Sequence, residues 1–178
     1  MKIDGVPYRS IWLDDDGRSV RIIDQTRLPH RFEIARLVSV DDAARAIATM
    51  MVRGAPLIGA TAAYGMALAM RADPSDEHLD EARALLAATR PTAVNLRWAL
   101  DDLRDRLRNR PRAERAGIAY ARAAEICDED VAICGAIGDH GLRLIERAYE
   151  AGGGTEPVNV LTHCNAGWLA TVDWGTAL

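Results

Sequence analysis

Residues 55–70 read APLIGATAAYGMALAM, and the fold of this chain is organised around this stretch. It carries no charged residue, and Pro56 stands where a proline favours the first turn of a helix. At about 16 residues, rich in alanine and glycine, it is too short and too mild to cross a membrane. The pattern predicts a helix to about Arg71. With 31 alanines in the chain, helices of this kind can pack closely into a bundle.

The segments on both sides of this helix repeat the 3.6-residue apolar period and predict further helices. Ser39 followed by Asp42 is typical of a capping box, and Thr92 is expected to cap a later helix in the same manner. Three of the predicted helices run from Ser39 through Met51, from Ser75 to about Ala88, and from Ala93 to about Arg108. The segment from Pro111 to the glycines at 152–154 is predicted to form either one long helix or two consecutive helices.

The first forty residues favour strands instead of helices. Residues 10–13 and 19–23 are apolar-rich runs on either side of an Asp-Asp-Asp-Gly turn, which predicts a β-hairpin. A third run over 32–38 could pair with that hairpin. The N-terminal part of the fold is therefore predicted to be a small β-element followed by the helical bundle.

The pattern changes again after Pro157. Residues 158–162 form a short β-type run, a turn with the sequence HCNAG follows, and a helix is predicted from Trp168. Because a single parallel strand needs partners on both edges, we expect the chain to be the N-terminal part of something larger. The predicted class is α+β leading into α/β, with domains at 1–153 and 154–178, the second being the start of a truncated Rossmann-like domain. Such a fragment is expected to expose an apolar patch around Trp168 and Trp174.

Composition excludes several function classes. The net charge of −4 gives no basic field for nucleic acid. Lys2 is the single lysine, so an acidic ligand would be held by arginine forks, which suit phosphate or carboxylate groups. The N-terminal residues lack the pattern of a secretory signal, and three cysteines with no zinc-like spacing predict a reduced, cytoplasmic protein.

Cys164 is the first candidate for chemistry. It lies in the predicted turn between a strand and a helix, where amide donors and the helix dipole would stabilise a thiolate. The alternative is a small buried apolar residue that happens to lie in a turn. Cys127 and Cys134 fall on the apolar side of a predicted helix, and core packing explains them.

Two arginines precede predicted helix starts and are candidates for anion binding. Arg53 stands before Gly54, Ala55 and a proline, which places a guanidinium beside the free amides of a helix N-terminus. The alternative is a helix–helix corner with a solvated arginine. Arg90 stands before Pro-Thr-Ala-Val-Asn and has the same potential, although it could equally interact with the carbonyls that end the preceding helix.

Five segments together resemble a known family. These are VRGAPLIG at 52–59, RPTAVNL at 90–96, LTHCNAGWLAT at 161–171, IWL at 11–13 and IDQTRLP at 23–29. They are similar, in this order and over essentially the whole chain, to motifs of the 5-methylthioribose-1-phosphate isomerase family. That family belongs to a superfamily with ribose-1,5-bisphosphate isomerase and the regulatory subunits of the eukaryotic initiation-factor exchange complex. Its members are about twice as long, with a helical and a Rossmann-like domain, and usually form homodimers.

The resemblance implies conversion of 5-methylthioribose 1-phosphate to 5-methylthioribulose 1-phosphate in methionine salvage. It implies that Arg53, Gly54 and Ala55 bind substrate, that Arg90 contacts it, and that Cys164 is the active-site cysteine. The proton-donating aspartate of the family lies in the second domain, so this chain by itself is expected to be inactive. A phosphorylated sugar is the implied partner, with a homodimer of the longer protein and no metal, cofactor, nucleic acid or membrane.

Two other functions stay open. One is a non-catalytic regulatory module of the initiation-factor type, which would need neither the cysteine turn nor the two arginines. The other is ribose-1,5-bisphosphate isomerase, which would need extra cations around the far end of the sugar. The mechanism is also open between an enediolate route and a hydride shift.

Overall fold

The computed structural model describes residues 1–163 and 165–177. Within them the chain forms five short strands, five α-helices and one 3₁₀ turn. The strands are β1 (Lys2–Ile3), β2 (Val6–Pro7), β3 (Ile11–Leu13), β4 (Val20–Ile23) and β5 (Ile34–Leu37). The helices are α1 (Val40–Ala48), α2 (Ala55–Ala72), α3 (Asp76–Thr89), α4 (Val94–Arg108) and α5 (Arg112–Ala151), and the 3₁₀ turn is Trp168–Ala170, called here the 168–170 turn.

Helix α2 is the centre of the bundle. Its residues from Leu57 to Met70 are all buried, and the helix packs against α1, α3, α4 and α5. Glycine makes this close packing possible: a Cβ on Gly65 would lie 3.0 Å from both Ala43 Cβ and Leu86 Cδ1. The predicted helix from Pro56 to about Arg71 is confirmed within a residue at each end. In the described part of the chain, no helix has both the length and the apolar character needed to span a membrane.

The helix ends follow the predicted capping chemistry with one exception. Ser39 Oγ accepts the Asp42 amide at 3.2 Å, and the Asp42 carboxylate accepts the Ser39 amide at 3.1 Å, which confirms the capping box. Helix α1 then ends at Ala48, before Met51. The exception is α4, whose N-cap is Ala93 and not Thr92. The Ala93 amide donates to the Arg90 carbonyl at 3.0 Å, so a backbone turn takes the place of the side-chain cap.

The remaining helices settle two further predictions. The N-cap of α3 is Ser75, whose hydroxyl accepts the His78 amide at 3.2 Å. The segment after Pro111 is one helix of 40 residues, the single long helix of the two alternatives.

The predicted β-element is confirmed as a three-stranded antiparallel sheet with the order β3-β4-β5. Val20 pairs with Leu13 on one side and Leu37 on the other, and the buried residues of the sheet join the helical core. Asp16 closes the β3–β4 turn because its carboxylate accepts the amides of Arg18 and Ser19, each at 2.8 Å. These backbone amides hold the pKa of Asp16 well below its usual range. The small β1–β2 hairpin around Asp4-Gly5 was not predicted.

The segment after α5 differs from the prediction. No described residue pairs with residues 158–162, which form no strand, and Leu161 is 97% exposed. A strand exists only when its amides and carbonyls have a neighbouring strand to bond. The helix predicted from Trp168 is a three-residue 3₁₀ turn.

The last residues form a compact loop that docks on the N-terminal elements. The Thr176 amide donates to the Ala166 carbonyl at 2.8 Å, which closes the loop. Its middle is held by the Ser10 amide, which donates to the Val172 carbonyl at 2.9 Å. The loop therefore belongs to the same packed body as β3 and the helices.

An apolar groove of about 980 Å³ runs along the second half of α5. Its lining includes Ile137, Leu142 and Ile145 from the helix and Val160 and Trp174 from the segment that follows. Each of these side chains is at least 40% exposed. The apolar patch predicted around Trp168 and Trp174 is thus present at Trp174 but lies mainly on α5.

The capping box provides a test of helix α1. Replacing Ser39 with Ala removes the side-chain acceptor for the Asp42 amide and should lower the free energy of unfolding by about 1 kcal/mol. Ser39→Thr keeps the hydroxyl and should stay close to the unsubstituted chain. Urea unfolding followed by circular dichroism measures both variants, and equal stabilities for the alanine and threonine variants would contradict the capping role.

Candidate functional site

The amino end of α2 meets the 168–170 turn at a contact that only glycine permits. Gly54 has φ of +97°, a conformation that side chains rarely adopt. A Cβ at this position would lie 2.3 Å from the Ala170 carbonyl oxygen. The absence of a side chain at Gly54 therefore brings the loop before α2 directly against the turn that follows Cys164 in the chain.

Arg53, the residue before Gly54, is exposed to solvent. Its Nε donates to Gln25 Oε1 at 3.4 Å, and Gln25 Nε2 donates to the Leu169 carbonyl at 2.6 Å. Ala55 begins the helix, and the amides of its first turn have no partners within the helix. A guanidinium beside free amides at the positive end of a helix dipole is an arrangement that binds anions.

The segment of the second arginine motif packs on α2 about one helical turn after the start of the helix. A Cβ added to Gly59 would lie 3.1 Å from the Asn95 carbonyl oxygen, so the start of α4 packs directly on α2. Gly59 is about one helical turn beyond Ala55. Arg90, half-buried at the C-cap of α3, belongs to the loop that leads into this contact. The structure thus places the two predicted arginine motifs next to each other.

Cys164 itself lies outside the described residues. The structure does describe both of its flanks, with His163 and Asn165 exposed. It also describes the loop at 166–176, which docks on Ser10 beside β3, on α2 and on α5. The strand predicted over 158–162 is absent from the described residues, and the helix predicted after the turn is a 3₁₀ turn.

Asp130 anchors that loop from α5. Its Oδ2 accepts the Val172 amide at 2.7 Å, and the Cys134 thiol lies 3.9 Å from Oδ1. Burial raises the pKa of Asp130, although the Val172 amide opposes the shift. This carboxylate joins the long helix to the residues that follow Cys164.

The two other cysteines are core residues, as predicted. Cys127 is 2% exposed and Cys134 is 1% exposed. Burial raises the pKa of Cys127 to about 12, and burial also raises the pKa of Cys134. Both thiols therefore stay protonated near neutral pH and are poor nucleophiles.

Two polar residues of the junction were missed by the sequence analysis. Gln25 lies within the 23–29 motif, but its position in that motif does not by itself predict a role in a binding site. Asp130 is one acidic residue among several on α5. Their contacts join positions separated by 144 and 42 residues, and a local sequence pattern carries no information about such pairs.

Comparison with known proteins places this geometry in a family. The model of the initiation factor 2 subunit family matches residues 51–172, which include α2, the arginine motifs and most of the docked loop. The chain belongs to the initiation factor 2 subunit family. The junction between Gly54 and Ala170 is therefore a feature of a member of this family and lies inside the matched region.

Within the family, the chain is highly similar to proteins named methylthioribose-1-phosphate isomerase. The one from Methylorubrum populi is 65% identical over 179 residues, covering 100% of this chain and 48% of that protein. The one from Acidiphilium cryptum is 66% identical over 179 residues, with the same two coverages. The chain spans about half the length of the curated relatives it matches.

Two solved structures share the fold. The crystal structure of 5-methylthioribose 1-phosphate isomerase from Pyrococcus horikoshii matches with a TM-score of 0.78 at 37% identity, over 95% of this chain and 47% of that one. The translation initiation factor eIF-2B, subunit delta, from A. fulgidus matches with a TM-score of 0.77 at 38% identity, over 95% of this chain and 48% of that one. The α+β architecture of this chain is thus shared by both kinds of family member.

The Gly54 contact provides a test of the junction. Gly54→Ala should lower the free energy of unfolding by about 1–3 kcal/mol because of the positive φ alone. The new Cβ should also push the 168–170 turn away and speed hydrogen exchange at the Val172 amide. Gly117→Ala, at an exposed position of α5 with no neighbour within 4 Å of the new Cβ, is the control and should not destabilise the chain. An unchanged Val172 exchange rate in Gly54→Ala would contradict the contact.

The half-buried carboxyl of Asp130 predicts a pH dependence of stability. Because burial raises the pKa of Asp130 in the folded chain above that of an ordinary aspartate, its contribution to stability falls as the pH rises through the folded pKa. Asp130→Asn keeps an oxygen acceptor for the Val172 amide and removes the ionisation. The variant should gain stability relative to the unsubstituted chain between acid and neutral pH. Thermal unfolding across pH measures this, with Asp139→Asn, an exposed site on α5, as the control; equal pH profiles for Asp130→Asn and the unsubstituted chain would show the expectation to be wrong.

Proposed function

We propose that this chain is the N-terminal part of an isomerase that converts 5-methylthioribose 1-phosphate to 5-methylthioribulose 1-phosphate. The observation that carries the proposal is 65–66% identity, over 100% of the chain, to proteins named methylthioribose-1-phosphate isomerase. The amino end of α2 supports it because it has the chemistry needed to hold a phosphate ester. The proposed role lies in methionine salvage, in the cytoplasm.

The phosphate of the substrate is proposed to bind at the amino end of α2. Arg53 supplies a guanidinium fork, and Gly54 and Ala55 bring backbone amides close to the ligand because neither carries a bulky side chain. Arg90 is proposed as a second substrate contact, from the loop that leads into α4, whose Asn95 packs on Gly59 of α2. Two guanidinium groups and a helix N-terminus match the charge of a phosphate dianion.

Cys164 is proposed as the catalytic residue. A 1-phosphate ester keeps the sugar ring closed, so one group must protonate the ring oxygen while another acts at C2. Cys164 fits the second role, as the base of an enediolate route or as the group that polarises the C2 hydroxyl in a hydride shift. The first role is proposed for an aspartate outside these 178 residues.

The chain is proposed to continue into a second domain. On this proposal residues 1–153 form the N-terminal domain, and residues 154–178 begin a Rossmann-like domain in which 158–162 becomes a paired strand. The exposed apolar groove on α5 supports this, because an apolar surface of this size is normally covered by protein. Relatives of about twice the length support it as well. The longer protein is proposed to form a homodimer.

One observation favours a second candidate function. The TM-score and identity to eIF-2B subunit delta are 0.77 and 38%, nearly equal to the values for the isomerase from P. horikoshii. A regulatory module of that kind would bind partners and would catalyse nothing. The two candidates differ in whether the sugar phosphate is turned over.

An assay of the chain with and without a second half tests the proposal. The chain should be inactive alone and should form the ketose phosphate when joined to the half of the M. populi isomerase that it does not cover. Cys164→Ala in the joined protein should lower kcat by about 10²–10⁴-fold, the range expected for loss of an acid–base group. Formation of the ketose, followed by ³¹P and ¹³C NMR, is the measurement.

Cys134→Ala is the matched control for the thiol. Its side chain is buried on α5 and has no proposed contact with substrate, so kcat and KM should match those of the unsubstituted joined protein. A folded joined protein that binds the sugar phosphate without turnover would favour the regulatory module. Full activity in Cys164→Ala would remove this cysteine from the mechanism.

A further inference from the structure

We infer that Gln25 is a positioning residue that fixes the Arg53 guanidinium relative to the 168–170 turn. The inference rests on the proposed function, because it assigns Gln25 a role in that same site. Gln25 links the end of β4, the loop before α2, and the loop that follows Cys164. These three segments meet at one side chain.

The Gln25 side chain is buried and uses both ends of its amide. It is 3% exposed. Its Nε2 donates to the Leu169 carbonyl at 2.6 Å, and its Oε1 accepts Arg53 Nε at 3.4 Å. A buried amide is costly unless it is bonded, so these two contacts set the orientation of the side chain.

The backbone of Gln25 is fixed as well. Its amide donates to the Met51 carbonyl at 3.0 Å, two residues before Arg53. The two neighbours of Gln25 are also bonded to each other, because Asp24 Oδ1 accepts the Thr26 amide at 2.9 Å and forms a tight turn around Gln25. Both the backbone and the side chain of Gln25 are therefore held in place, so that its amide oxygen can fix a flexible side chain through a hydrogen bond.

The Arg53 side chain needs a fixed hydrogen-bond partner to hold one orientation. Its side chain has many rotamers and reaches into solvent. Within residues 1–163 and 165–177, the bond to Gln25 is the one side-chain hydrogen bond that Arg53 makes. This bond uses Nε and leaves both terminal nitrogens of the guanidinium available to a phosphate.

The other end of Gln25 reaches the segment that carries the thiol. Leu169 lies five residues after Cys164 in the chain, and its neighbour Ala170 packs on Gly54. Loss of the Gln25 amide would free the Arg53 fork and loosen this turn together. A shift of about 1 Å between a bound group and a reacting group can cost about 10²-fold in rate.

A double-mutant cycle in the joined protein tests the inference. Gln25→Met keeps the length of the side chain and removes both hydrogen bonds. It should lower kcat by about 10–100-fold with a smaller change in KM, because the Arg53 charge is still present. In the double variant Gln25→Met/Arg53→Ala, the fold-decrease in kcat should be smaller than the product of the fold-decreases in the two single variants. The reason is that the guanidinium that Gln25 positions is then gone.

Two further variants separate positioning from stability. Ser19→Ala removes another buried, hydrogen-bonded side chain at the opposite end of β4, and it should lower Tm without changing kcat or KM. Gln25→Asn keeps the amide but is too short to reach both partners, and it should lower kcat even if Gln25→Met does not fold. The inference would be overturned if the fold-decreases in kcat of Gln25→Met and Arg53→Ala multiplied in the double variant. It would also be overturned if both Gln25 variants had a lower Tm and an unchanged kcat.

The failure of the proposed function has a different signature. If the unsubstituted joined protein folds and does not isomerise the sugar phosphate, the proposed function is wrong and the inference falls with it. If it isomerises the sugar phosphate and the cycle shows no coupling between Gln25 and Arg53, only the inference is wrong.

Discussion

The structure depends on the burial of α2 on all of its sides. A helix with no charged residue between Ala55 and Met70 gains free energy only when other apolar surfaces enclose it, and four helices do so here. Small residues let those helices approach closely, as Gly65 does against Leu86. Because other helices cover α2 along its length, loops from other parts of the chain meet it at its amino end.

That amino end is shaped by the lack of a side chain at Gly54. The contact with Ala170 brings a loop from the end of the chain onto the start of α2. Gln25 then links Arg53 to the same loop, and the Asp130 carboxylate on α5 accepts the Val172 amide of that loop. The proposed phosphate site and the segment after Cys164 are thus held together by Gly54, the buried side chain of Gln25 and the half-buried side chain of Asp130.

Local patterns predicted most of the elements. The capping box at Ser39, the proline at the start of α2 and the hairpin around Asp16 are interactions between residues close in the chain, and the structure confirms them. The failures concern residues whose structure depends on distant partners. Residues 158–162 have the composition of a strand but form none in the described chain, because pairing requires an edge that composition does not supply.

The sequence by itself determined the helical bundle, the small sheet, the buried state of Cys127 and Cys134, and the family to which the motifs belong. It also identified Arg53 and Arg90 as charges at helix starts. Only the tertiary structure decided that the segments of these two motifs meet at Gly59 and Asn95 and that Gln25 joins Arg53 to the 168–170 turn. The reason is that periodicity and capping act over a few residues, whereas the site is assembled by contacts between residues from 28 to 144 positions apart in the chain.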